Sequence, residues 1–125
     1  MELTREQAIE EHRKMWNWIA DNIEKIKPNG NKDIKEYYLY KIRKLDESID
    51  NYCFCCEYSS IYETSMIKLV CDHCPIEWDG ECRNCLSSLL YNNFTMAICN
   101  NKYDIASTMA KQIANLPEKK KPKNI

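Results

Sequence analysis

Eight cysteines in 125 residues limit what this chain can become more than any other feature, and six of them fall into pairs with two residues between. Cys53-Phe54-Cys55-Cys56 and Cys71-Asp72-His73-Cys74 are separated by residues 57–70, and Cys82-Arg83-Asn84-Cys85 follows closely. Two cysteines at that spacing curl around one ion, and two such pairs complete the tetrahedral sulfur shell that Zn²⁺ prefers, at about 2.3 Å. Cys53, Cys56, Cys71 and Cys74 are the expected ligands of a Zn²⁺ ion. Cys55, Cys82, Cys85 and His73 are alternative ligands, and their number leaves one ion or two open. Four thiolates leave no position for water, so the ion is expected to organise structure rather than activate a nucleophile. Its binding, worth roughly 10–16 kcal/mol in zinc-finger peptides, can then offset a modest core.

Disulfides are the other use of an even cysteine count, but they belong to oxidising compartments. Residues 1–7 lack the apolar stretch of a secretory leader, and no run of eighteen apolar residues offers a membrane span. The expectation is a cytoplasmic chain with reduced thiols and no membrane association.

Around the cysteines the pattern is helical. Thr4 and Gln7 form a capping-box pair, and Ile9, His12, Trp16, Ile19, Ile23 and Ile26 recur at alternating steps of three and four, lining one helical face. Lys27-Pro28-Asn29-Gly30 stops that helix. A second helix is expected from about Asp33 to Asp50, with Ile34, Tyr38, Ile42, Leu45 and Ile49 on its apolar side. Residues 52–85 hold no single period and read as loop-rich, with residues 60–70 open between a short helix and a hairpin. Residues 86–99 and 102–116 return to helical spacing around an Asn100-Asn101 break, the signature of an αα-hairpin. The fold class is therefore mainly α, a helical domain with a loop-rich zinc-binding segment built on four cysteines. With 44% hydrophobic residues one core is possible at this length, so residues 1–117 form one zinc-stabilised domain. Residues 118–125, rich in lysine, form a disordered basic tail.

The formal net charge of −1 conceals an asymmetry. Residues 1–45 carry ten basic and eight acidic groups, residues 46–81 one and nine, and residues 82–125 seven and two. The cysteine segment is the acidic part, which repels phosphates and suits a basic protein surface. Asp72, Glu77, Asp79 and Glu81 are the candidate protein-binding carboxylates, and direct nucleic-acid binding is not expected. Of the tryptophans, one of Trp16 and Trp18 belongs to the core and the other is partly exposed, while Trp78 packs on the metal loop. His12 lies on the apolar stripe and reads as a hydrogen-bonded core imidazole. Enzyme readings lack parts: there are two histidines in all, no His-x-Glu with Pro-Cys-x-x-Cys, no Gly-rich phosphate loop, and no strand before Cys53 for a thioredoxin-like redox pair. No catalysis is expected.

Cys53-Phe54-Cys55-Cys56-Glu57-Tyr58, Cys71-Asp72-His73-Cys74-Pro75-Ile76-Glu77-Trp78, Cys82, Leu90-Tyr91 and Ala110-Lys111-Gln112-Ile113-Ala114-Asn115-Leu116-Pro117 resemble a family of small phage and prophage proteins of Firmicutes. The opening Leu3-Thr4-Arg5-Glu6-Gln7-Ala8 and the Trp16, Trp18 pair extend the likeness over most of the chain. The sequence departs from that pattern in the long segment between its first two cysteine pairs and in the extra Cys55, Cys85 and Cys99. The resemblance implies a phage origin and a cysteine-bound metal. It further implies a protein that binds and modulates a host protein, with an anti-CRISPR inhibitor of Cas9 as the specific form. The alternative is a zinc-ribbon nucleic-acid-binding accessory factor that uses the basic C-terminal third.

Overall fold

The structure is a computed structural model that describes residues 3–46, 49, 52–59, 74–79 and 88–120. It is mainly α, and among the described residues the one β contact is an isolated antiparallel bridge between Ile76 and Glu118. Helix α1, Arg5–Ile26, starts as its capping box requires: the Gln7 N–H donates to the Thr4 hydroxyl at 3.1 Å, and the Thr4 N–H donates to the Gln7 side chain at 2.9 Å. It stops at Lys27, whose left-handed φ of 53° lets its N–H reach the Ile23 carbonyl ahead of Pro28. Eight α1 residues are buried, His12, Trp16, Ile19 and Ile23 among them.

The second helix differs from expectation. Helix α2, Asn31–Glu36, passes into a π segment, Tyr37–Ile42, and the chain leaves helical winding there rather than near Asp50. The Arg43 N–H bonds to the Tyr38 carbonyl, five residues back. That wider turn moves the buried stripe from Ile34 to Leu39 and leaves Ile42 44% exposed, although a step of four had placed it inside. It also lets two adjacent tyrosines meet one indole: Trp18 stacks on Tyr37 at 5.9 Å and lies 5.3 Å from Tyr38. A further departure is a short helix α3, Phe54–Ser59, inside the segment read as loop. Residues 60–70, open between helix and hairpin, lie outside the described residues.

Helices α4, Leu89–Cys99, and α5, Tyr103–Ala114, form the expected hairpin. Its corner is a Schellman motif: Asn101 takes φ 58°, the Asn101 N–H bonds to Ile98, and the Lys102 N–H bonds to Ala97 at 2.8 Å. Asparagine tolerates the left-handed region better than most residues, which is why Asn100-Asn101 marks the break. Helix α5 lies antiparallel along α1, since Ser107 meets Ala20, Lys111 meets Asn17 and Arg13 meets Leu116. Ala106, Ala110 and Ala114, all fully buried, are small enough for the two backbones to approach closely. Trp16, 2% exposed, stands at the centre with Phe94 edge-on at 5.0 Å and Tyr91 at 5.9 Å.

Residues 118 and 119, expected in the basic tail, are held by backbone contacts. Glu118 pairs with Ile76, the Glu77 N–H bonds to the Pro117 carbonyl at 2.8 Å, and the Lys119 N–H bonds to the Pro75 carbonyl at 2.7 Å. Arg5 holds the same stretch through the Glu118 carboxylate and the Lys119 carbonyl. Residues 121–125 lie outside the described residues.

Candidate metal centre

The first cysteine pair is placed by α3. The Cys53 carbonyl accepts the Glu57 N–H at 3.0 Å, so residues 53–57 wind as one helical turn. That winding brings Cys53 and Cys56 to one side and turns Cys55 toward α1, where its thiol donates to the Ala8 carbonyl at 3.8 Å. The second segment is placed by the pairing of residues 75–77 with 117–119, which fixes the chain just after Cys74. Trp78, 3% exposed, lies beyond it.

These constraints bring sulfurs from two distant segments together. Cys53 interacts with Cys55 and Cys56 closely enough to shift its titration, and Cys55 does so with Cys74. Cys55, Cys56 and Cys74 are buried, and all four are free thiols. The hydrogen bonds from Cys55 and then Cys56 hold the Cys53 thiol well below its usual range, with Lys35 and His12 adding to the effect. Cys74 is lowered by its bond from Cys55, whereas the same bonds push Cys55, the neutral donor, well up.

Lys35 supplies the opposite charge. Its side chain is buried, with the residue 6% exposed, and its ammonium donates to the Tyr91 hydroxyl at 2.6 Å and lies 4.9 Å from the Tyr91 ring. Among the described residues no carboxylate pairs with it. A buried ammonium costs several kcal/mol unless an anion offsets it, and the Lys35 charge is among the causes that lower the Cys53 thiol. His12 completes the surroundings at 1% exposure. Its Nε2–H donates to the Ile113 carbonyl at 3.2 Å, its ring meets Trp78 edge-on at 5.7 Å, and burial lowers its pKa, favouring the neutral ring.

No family model, curated protein or solved structure matches the chain.

Of the expected metal ligands, Cys53 interacts with Cys56, and Cys55, an alternative by spacing, interacts with both Cys53 and Cys74. Cys71, His73, Cys82 and Cys85 lie outside the described residues. Cys99 is exposed at the end of α4. Thiols and a neutral imidazole are donor types that suit Zn²⁺ chemically. As it stands, no group of three or more His, Cys, Asp or Glu among the described residues is gathered to hold an ion, so coordination would require the sulfurs to close up. The carboxylates expected to bind a partner fare differently. Asp79 is engaged inside the chain: Oδ2 accepts the Leu89 and Leu90 N–H groups at 2.9 and 3.1 Å, and Oδ1 accepts the Ser88 hydroxyl. It caps α4 together with Ser88, whose hydroxyl takes the Tyr91 N–H at 3.0 Å. Glu77 is half-buried, and its backbone belongs to the bridge with Pro117. Asp72 and Glu81 lie outside the described residues. Sequence reasoning missed Lys35, which only packing brings in, whereas His12 is the buried, hydrogen-bonded imidazole expected. Among the described residues no helix is long and apolar enough to cross a membrane.

Proposed function

We propose that this chain is a metal-stabilised helical binding module whose cysteine cluster holds one zinc ion. The observation that carries this reading is the convergence of Cys53, Cys55, Cys56 and Cys74 from two segments beside a buried ammonium that lacks a carboxylate partner among the described residues. Thiolates next to a cation are the state in which cysteine binds zinc. The ion would supply cross-linking between α3 and the segment after Cys74, with no catalytic role. Elemental analysis of protein purified without added metal should find about one zinc per chain. Cys53→Ser and Cys74→Ser should lose zinc and cooperative melting together, while Cys99→Ser should keep both. Unchanged melting in the presence of a strong chelator would overturn the reading.

The module's task is to bind and modulate a host protein with a basic surface, and a Cas9 inhibitor is its specific form. The resemblance to phage and prophage proteins and the acid excess of residues 46–81 support this assignment. Purified chain should co-elute with Cas9 and suppress its DNA cleavage, and that binding should weaken as salt rises. Because Asp79 caps a helix, charge reversal belongs elsewhere: Asp46→Lys with Glu81→Lys should weaken binding more than Asp21→Lys with Glu24→Lys on α1. Retention of free DNA with a steep salt dependence would favour the nucleic-acid reading instead.

A further inference from the structure

Helix α4 contains no charged residue, and two of its apolar side chains, Leu89 at 67% and Met96 at 58%, are exposed to solvent. They stand seven residues apart, so they share one side of the helix, and Asn93 and Asn100 lie on that side with them. The other side is occupied within the fold. Tyr91 meets Trp16, and the Asn31 side chain donates to the Thr95 hydroxyl at 2.8 Å.

Helix α5 continues this exposed surface. Its flank toward α1 is fixed by Ser107 and Lys111, which donate to Ala20 and Asn17, and both of its charged residues, Asp104 and Lys111, share that flank seven residues apart. The flank beside α4 carries Ile105, 43% exposed, with Met109 and Gln112. The hairpin therefore presents one outer groove whose centre is apolar side chains and amides. Charge stands only at its ends: exposed Lys102 at the corner between the helices, and the Asp79 carboxylate at the start of α4.

That distribution selects an occupant. A basic protein surface, such as the function above requires, meets no carboxylate in the centre of the groove. A second copy fits better. A twofold axis normal to the groove lays each copy's Lys102 end over its partner's Asp79 end, so opposite charges meet at both ends of an uncharged middle. Amides facing amides are also self-complementary, since each carries donor and acceptor. We propose that this groove is the interface with a second copy of the chain, the two α4–α5 hairpins packing antiparallel into a four-helix layer. Helices of this length give a face roughly 17 Å long and 20 Å wide. Pairing two such faces removes roughly 800–1,000 Å² from water, the lower end of specific interfaces, so the dimer is weak and concentration-dependent.

Sedimentation of the unaltered protein tests this. The mass should rise from the 14.9 kDa chain toward twice that value, with a Kd of roughly 10–100 μM. Met96→Glu, which puts a carboxylate into the apolar middle, should weaken pairing more than about tenfold. Lys102→Glu, which turns attraction to Asp79 into repulsion at both ends, should weaken it roughly three- to tenfold. Lys25→Glu makes the same charge change on the exposed side of α1 and should leave pairing unchanged. Melting of dilute protein checks that each variant folds. Should one fail, methyl resonances of the unaltered protein decide: those of Met96 and Met109 should shift with concentration while that of Met15, fully buried in the core, stays in place. A chain still monomeric at about 1 mM would overturn the inference and leave the groove to a different protein. A dimer that weakens no more in Met96→Glu than in Lys25→Glu, or methyls indifferent to concentration, would overturn it as well. None of these outcomes bears on the zinc content, so the metal reading stands or falls separately.

Discussion

Removing the Asp79 carboxylate separates two readings of one residue. As part of an acidic patch, Asp79→Ala would disturb partner binding and leave stability alone. The structure makes it the N-terminal anchor of α4, accepting two backbone N–H groups at 2.9 and 3.1 Å and one hydroxyl. Loss of a cap costs about 0.5–2 kcal/mol, the negative charge at a helix start adds about 0.3–1 kcal/mol, and the buried Ser88 hydroxyl loses its acceptor. Together these give about 2–3 kcal/mol. For a chain of this length that corresponds to a fall of roughly 6–15 °C in Tm, read by circular dichroism at fixed zinc. Asp79→Asn, which keeps an acceptor and loses the charge, should cost about half as much. Ser88→Ala combined with Asp79→Ala should cost less than the sum of the two, because the hydroxyl and carboxylate belong to one network. A loss under about 0.5 kcal/mol for Asp79→Ala would refute the anchoring argument and return this residue to the surface charge.

Other outcomes follow from the same structure. Thr4→Ala removes one arm of the α1 capping box and should cost about 1 kcal/mol in urea unfolding. Ala110→Leu places three extra carbons where α5 is fully buried against α1, and overpacking of this kind should cost about 1–3 kcal/mol. Burial raises the Tyr38 phenol above its usual range, so above about pH 10 the unfolded chain loses that proton before the folded one does. The Tyr38 contribution is complete below that pH and is lost as pH rises, so Tyr38→Phe should flatten the alkaline limb of a stability profile.

The parts of the fold carried by local chemistry were legible in advance. Thr4 with Gln7, the Ile-His-Trp stripe of α1 and the Asn100-Asn101 corner each contain their own instruction within a few residues. The π segment was not legible, because a stripe continued in steps of three or four looks the same until one turn widens, and the indole its tyrosines meet, Trp18, lies some twenty residues earlier in the chain. The short α3 was hidden by cysteine density, since Cys-x2-Cys reads as a loop although the same spacing fits one turn of helix. Glu118 and Lys119 looked like tail because their composition is charged; backbone hydrogen bonds, which composition does not encode, hold them. In the candidate site, spacing selected Cys53, Cys56 and Cys74, while Cys55, His12 and Lys35 enter only through tertiary packing.

The pairing of residues 75–77 with 117–119 also sets a schedule for synthesis. Helix α1 carries its own cap and can wind as soon as it leaves the ribosome, but its contacts at Ile113 and Lys119 lie 101 and 114 residues further along the chain. The support behind Cys74 is therefore missing until residue 119 has emerged. Until then the thiols wait on a chain whose apolar stripe is uncovered, a stage at which oxidation or aggregation competes with folding. Contacts of such long range slow a helical protein relative to one built from local hairpins. A circular permutant joining residue 119 to residue 3 would deliver α1 and its partner in succession, and should fold faster with the same contacts in place.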